Sequence, residues 1–316
     1  MLLEFVLLVV GFALLLKSAD WLVNGASALA KKLNVSDLAI GLTVVAFGTS
    51  TPELVVNIFA SAQNHPDIVL GNIIGSNNFN LFIILGISAL ISPLFVQSST
   101  VKVEIPISLF AAVLLLLLTN NFFLSDEQNL TRVDGLILLI LFFVFLYYVY
   151  SPLKNDTLNQ NLSYKSMSNG KIALLVIAGL SGLTLGGRIV VTSSVEIAKL
   201  FNISEKIIGL TIVAAGTSLP EFATSVMATI KKNNDIAVGN IIGSNIFNIF
   251  FILAISTLIN PIPYNIKFNT DLFLLIAGTI ILFISMFTGH RKKLDRWEGI
   301  FLLLIYFVHN YYFLSQ

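Results

Sequence analysis

The sequence predicts an all-α polytopic membrane protein: ten transmembrane helices arranged as two inverted-topology repeats of five. Three observations predict it. Of 316 residues, 56% are hydrophobic and only 11% charged, with a mean hydropathy of +0.89. A soluble domain carries roughly 25% charged residues to cover its surface. The apolar runs are also long and continuous, whereas barrel strands would alternate over about 10 residues. Finally, the chain repeats itself at an offset of 168 residues.

Spanning about 30 Å of hydrocarbon takes about 20 residues of helix. Ten candidate spans meet this, at roughly 3–30, 36–62, 68–93, 104–122, 133–151, 171–198, 204–230, 236–261, 270–288 and 296–314. The first is not a cleaved signal. No basic segment precedes Met1–Leu16, no small-residue cleavage site follows, and the run continues as GFALLLKSADWLVNGASALA. The first and sixth spans are long enough to be tilted. Most connections are short. The one sizeable polar stretch, at the centre of the chain, divides it into halves at 1–152 and 171–316 joined by a linker at 153–170.

Loop cations set the orientation. With the N-terminus outside, Lys31, Lys32, Lys102, Lys154, Lys165, Lys171, Lys231, Lys232, Arg291, Lys292, Lys293 and Arg296 lie inside. Arg132, Lys199, Lys206 and Lys267 lie outside. Twelve against four places both termini outside and the linker in the cytoplasm of a multi-pass plasma-membrane protein. The formal net charge of +1 leaves no field for nucleic acid. The absence of cysteine excludes disulfides and thiolate metal sites.

The repeat is explicit. Residues 33–56 read LNVSDLAIGLTVVAFGTSTPELVV and 201–224 read FNISEKIIGLTIVAAGTSLPEFAT; 67–80 read DIVLGNIIGSNNFN and 235–248 read DIAVGNIIGSNIFN. Each half holds five spans. An odd number makes the second copy enter the membrane from the opposite side, an architecture that puts substrate sites near the midplane. A solenoid would need more copies and a shorter period.

Glu53 and Glu221 fall near the middle of the second and seventh spans. An ionised side chain at the bilayer centre costs at least about 2.5–3.5 kcal/mol, so such acids are functional candidates. Pairing with a buried cation such as Lys17 or Arg188 would be a structural explanation, but it does not account for identical surroundings at both acids. Each acid closes a GTS-x-PE motif. Pro52 and Pro220 should free the carbonyls of Gly48 and Gly216 four residues back. Broken backbone is tolerated at this depth only where it is buried in protein or lines a cavity. Thr49 and Glu53, like Thr217 and Glu221, are i, i+4 and share a face.

The second motif, GNIIGSN-x-FN, aligns Asn72, Ser76 and Asn80 on one face, and Asn240, Ser244 and Asn248 on another. Small residues and amides also serve as packing devices between membrane helices. That reading fits Asn72, Asn77, Asn240 and Asn245 best, which leaves Asn80 and Asn248 as the amide ligands. The assembled groups are all oxygens, a set for hard cations rather than zinc or copper. Two carboxylates balance one divalent charge, and Ca²⁺ accepts flexible oxygen shells. This favours Ca²⁺, with Na⁺ competing for the same oxygens and no cofactor required.

These paired motifs resemble the two α-repeats of the sodium/calcium exchanger family, within the calcium/cation antiporter superfamily, and most closely its short prokaryotic members. Here the α-repeats would be 36–93 and 204–261. The resemblance implies a non-enzymatic antiporter exchanging Ca²⁺ for Na⁺ by alternating access, working as a monomer, with spans one and six sliding against the rest. It implies cation sites between spans two, three, seven and eight. Glu53 and Glu221 would be the shared carboxylates. Thr49, Ser50, Thr217 and Ser218 would give hydroxyl or backbone oxygens. Ser76 and Ser244, with the Ala46 and Ala214 carbonyls, would complete flanking Na⁺ sites, and Asn80 and Asn248 would face the centre. Many exchangers carry Asp at one of those last two positions; this chain carries Asn at both, which leaves the ion ratio open. H⁺ is the alternative counter-ion. A channel would want a pore ring, and an intramembrane hydrolase a nucleophile with a base. Lys17 and Asp20 are spaced for an i, i+3 ion pair, and Asp20 and Arg188 occupy equivalent places (20 + 168 = 188). These three charges read as snorkelling from a tilted helix. His65, His290 and His309 receive no role.

Overall fold

A computed structural model describes residues 2–120, 129–150, 167–201, 214–288 and 292–315. Most of the expected linker, the start of the seventh expected span, and Lys154, Lys165, Lys206, His290 and Arg291 lie outside the described residues. The described chain is almost entirely helical. Helix α1 is Leu2–Leu33, α2 Asp37–Thr49, α3 Thr51–Ala62, α4 Pro66–Ile91, α5 Thr100–Thr119 and α6 Arg132–Tyr150. Helix α7 is Asn169–Leu200, α8 Ala214–Gly216, α9 Leu219–Ile230, α10 Asn234–Ile259, α11 Asn269–Ser285 and α12 Arg296–Ser315.

Among the described residues, seven helices are long and apolar enough to cross a membrane, or eight if the bent pair α2–α3 is one span. Helix α12 has the length but carries Arg296, Glu298, His309 and Asn310, and α9 has only 12 residues. Local signals explain the starts. Ser36 accepts a bond from Ala39 N at 3.1 Å to cap α2, and Asn233 does the same for Ile236 N at 3.1 Å at the head of α10. Pro66 opens α4 where its missing N–H costs nothing. The turns ahead of α4 and α10 use residues 168 apart, Asn64 (φ 60°) and Lys232 (φ 59°).

Two apolar clusters organise the interior. One joins α4, α5, α6, α10, α11 and α12 through residues such as Ile73, Phe82, Phe142, Phe247 and Phe250. Its aromatic centre includes Phe142 edge-on to Phe247 at 4.8 Å. The other joins α1 and α7 to each other and to α2, α9 and α10, through Leu15, Leu22, Leu183, Val190, Ile40 and Ala223. The α1–α7 seam is built on glycine: a Cβ on Gly179 would meet the Leu22 backbone nitrogen at 2.8 Å, and one on Gly182 would overlap Ser18 Oγ. In lipid, such close approach replaces the hydrophobic effect as the source of helix association.

Four two-residue strands tie the loops. β1 (Leu94–Phe95) pairs with β4 (Lys293–Leu294), and β2 (Asn129–Leu130) with β3 (Ile262–Pro263), both antiparallel. The partners in each ladder come from loops that the cation count assigns to one side of the membrane, β1 and β4 inside, β2 and β3 outside.

Candidate cation site

Helix α2 stops at Thr49 and α3 restarts at Thr51, with Ser50 between them at φ −81°, ψ 7° and an axis bend of 47°. Ser218 has the same role before α9, at φ −87°, ψ 7°. Proline causes both breaks, as expected, and sits in the first turn of the next helix. There the first N–H groups have no intrahelical acceptor. Glu53 and Glu221 occupy that same first turn, where the positive end of the helix dipole favours a carboxylate.

The two breaks are laced crosswise. Ser50 Oγ donates to Glu221 Oε1 at 2.8 Å, and Ser218 Oγ lies 3.1 Å from both Glu53 Oε1 and Ser76 Oγ. Both carboxylates are 1% exposed. Their second oxygens, Glu53 Oε2 and Glu221 Oε2, are buried without any donor. A buried acceptor without a donor is costly. The cation-paired explanation for these acids falls away. Arg188 is exposed, Lys17 is mostly exposed, and neither forms an ion pair with either glutamate.

The asparagines form a second layer. Asn80 Nδ2 donates to Asn245 Oδ1 at 3.0 Å, and Asn248 Nδ2 to Asn77 Oδ1 at 2.9 Å. Asn77 and Asn245 in turn donate to each other's main-chain carbonyls at 3.3 Å. The donor ends of Asn80 and Asn248 are thereby engaged, and their Oδ1 atoms are left buried without donors. Both residues stand where the helix widens by one residue, with Leu85 N bonded to Asn80 O and Leu253 N to Asn248 O, five residues on. Such π-turns are frequent at functional sites.

The remaining candidates fall around this centre. Thr49 Oγ1 donates toward Asn240 Oδ1 at 3.1 Å, and Thr217 Oγ1 toward Asn72 Oδ1 at 3.2 Å. Each threonine therefore serves the neighbouring repeat rather than the glutamate of its own repeat. Ala46 O accepts from Ser50 N at 3.0 Å, Ser244 Oγ is buried without a partner, and Ala214 opens α8. Asn57 was not singled out in the sequence. It is fully buried, donates to Glu53 O at 2.7 Å and leaves Oδ1 without a donor; its repeat counterpart is Ser225, which accepts from Asn240 at 2.9 Å. Its position one turn after Glu53 was the available signal. The serine–glutamate, threonine–asparagine and asparagine–asparagine contacts each have a twin 168 residues on, as at a two-fold interface where i meets j and j meets i.

Multiple apolar helices around a buried, oxygen-only centre define an integral membrane transport protein. The sequence model of the sodium/calcium exchanger protein family matches residues 3–151 and 171–315, and the chain belongs to that family of cation/Ca²⁺ antiporters. The sodium/calcium exchanger MaX1 of Methanosarcina acetivorans is 34% identical over 341 residues, covering 96% of each chain. The inner membrane protein YrbG of Escherichia coli is 38% identical, covering 83% of this chain and 81% of that one. A structure of the sodium-calcium exchanger NCX_Mj soaked with 2.5 mM Na⁺ and 0.1 mM Ca²⁺ matches with a TM-score of 0.82 at 33% identity, covering 98% of this chain and 97% of that one.

Proposed function

We propose that this protein exchanges Ca²⁺ for Na⁺ across the plasma membrane by alternating access. The observation that carries the reading is the crosswise pair of buried glutamates, each held by the serine of the opposite break and each with one oxygen lacking a donor. A hard cation between them relieves both. Glu53 and Glu221 would be its carboxylate ligands, with Asn80 and Asn248 as amide ligands. Thr49, Ser50, Thr217, Ser218, Ser76, Ser244 and the carbonyls of Ala46 and Ala214 would supply oxygens for Na⁺. Ca²⁺ and Na⁺ are cargo, and the reading needs no cofactor.

The architecture proposed with it is ten spans in halves 1–152 and 171–316 joined by a cytoplasmic linker at 153–170, acting as a monomer with both termini outside. Support comes from the loop ladders and from the reciprocal contacts at the 168-residue offset, which suit an inverted repeat. The test is Ca²⁺ uptake into proteoliposomes under separately imposed Na⁺, K⁺ and H⁺ gradients. Uptake should follow the Na⁺ gradient; uptake driven by a pH gradient alone would make H⁺ the counter-ion. Glu53→Gln or Glu221→Gln should abolish uptake, since each removes half the compensating charge, and normal flux in either variant would refute the site.

A further inference from the structure

We infer that the paired asparagines fix the centre at a formal charge of −2, so that one divalent cation exchanges for two monovalent ones and the cycle moves no net charge. The inference rests on the proposed exchange and adds its coupling ratio. Among the described residues, Glu53 and Glu221 are the only acids at the crossing, and no group of three acidic or histidine side chains able to hold a metal occurs. Every other oxygen there is a neutral amide, hydroxyl or carbonyl. Among the described residues no buried cation offsets the pair: Lys17 and Arg188 are exposed, and Lys231 is bound to Asp20 at 2.6 Å.

The amides would be ambiguous if they could turn, because a rotated asparagine presents two donors to a cation instead of an acceptor. Here Asn77 and Asn245 remove that freedom by accepting from Asn248 and Asn80. The carboxylate and amide oxygens left without donors by the two motifs are Glu53 Oε2, Glu221 Oε2, Asn80 Oδ1 and Asn248 Oδ1, beside Asn57 Oδ1 and Ser244 Oγ. The first four form two equivalent pairs, one from each repeat, and the other two are neutral. One divalent ion brings the charge to zero, as do two monovalent ions. A third monovalent ion would leave an uncompensated charge in a region of low dielectric, which is strongly disfavoured.

Two measurements on the full chain test this. In proteoliposomes whose voltage is set with K⁺ and valinomycin, ion-driven Ca²⁺ uptake should be the same at inside-negative, zero and inside-positive potentials. In detergent, the apparent dissociation constant for Ca²⁺ should rise as the second power of Na⁺ concentration. Asn248→Asp adds a third carboxylate, so uptake should become voltage-dependent and the power should rise to three. Asn80→Asp is the equivalent change from the other repeat, should the first variant fold poorly. Wild-type uptake that responds to voltage, or a wild-type third-power dependence, would overturn the inference. Uptake that follows H⁺ rather than Na⁺ but ignores voltage would refute the proposed counter-ion while supporting the charge count. The titration needs no transport, so it decides the count even where flux is absent.

Discussion

Asn77 and Asn245 show what a single side chain can do that spacing does not disclose. From the sequence, Asn72, Ser76 and Asn80 lie on one helical face at i, i+4 and i+8, and Asn77 falls off that line as a packing residue. In the structure Asn77 is the acceptor for Asn248 and Asn245 the acceptor for Asn80. The acids themselves were legible, because a carboxylate at membrane depth is rare and costly. The amide layer was not, because each bond crosses between residues 165 or 171 positions apart and leaves no local trace. If Asn245 orients Asn80, Asn245→Ala should let that amide turn its donors toward the cation. Ca²⁺ affinity should then fall about tenfold, or about 1.4 kcal/mol, with the Na⁺ power unchanged because no charge is lost. A calorimetric titration of the purified variant checks this; wild-type affinity would reduce Asn245 to a packing role.

At the scale of elements, the proline breaks were legible and the role of the adjoining glycines was only partly so. Pro52 and Pro220 end one helix and begin another where the rule for proline says they must. In the sequence Gly48 and Gly216 stand out only as the residues whose carbonyls proline should free. In the structure they are points of close approach to α7, since a Cβ on Gly48 would overlap the Leu180 side chain and one on Gly216 would overlap Val191. The wider π-turns at Asn80 and Asn248 escaped sequence reading altogether, because hydrogen-bond register has no compositional signature. Gly48→Ala should therefore push α7 off the break without touching a ligand. Leu180 yields at the ends of a flexible side chain, so the fold should survive. Transport should slow severalfold while equilibrium Ca²⁺ affinity stays close to wild type. Equal losses in rate and affinity would place the effect at the site instead of at the moving interface.

At the scale of the whole molecule, the repeat is more symmetric at its centre than at its ends, and the asymmetry bears on the proposed alternating access. Helix α1 lies along α9 and is fastened there. Lys231 Nζ meets Asp20 Oδ1 at 2.6 Å and Asn24 Oδ1 at 2.7 Å, and Asn233 reaches Ser27 at 2.9 Å. The i, i+3 pair expected between Lys17 and Asp20 is present but longer, at 3.8 Å; the sequence could not show Lys231 as the nearer partner because the two residues are 211 positions apart. The counterparts of Asp20 and Lys231 are Arg188 and Gln63 (20 + 168, 231 − 168), a cation and an amide rather than two opposite charges. Among the described residues this ion pair is not repeated by Arg188 and Gln63, so the latch should favour the state in which the face carrying Lys231 is fastened. A partly exposed ion pair is worth up to about 1 kcal/mol, enough to change a two-state ratio about fivefold. Lys231→Ala should release the latch, and Gln63→Glu should supply the missing partner for Arg188; both should shift the population in the same direction. The native chain has no cysteine, so a cysteine placed at Ser27 reports on the latched face without background. Its labelling rate should rise about fivefold in either variant and further when they are combined, since the two sites lie at opposite ends of the molecule and should act nearly additively. Labelling that stays at the parent rate in both would show that the end contacts do not set the balance between the two states.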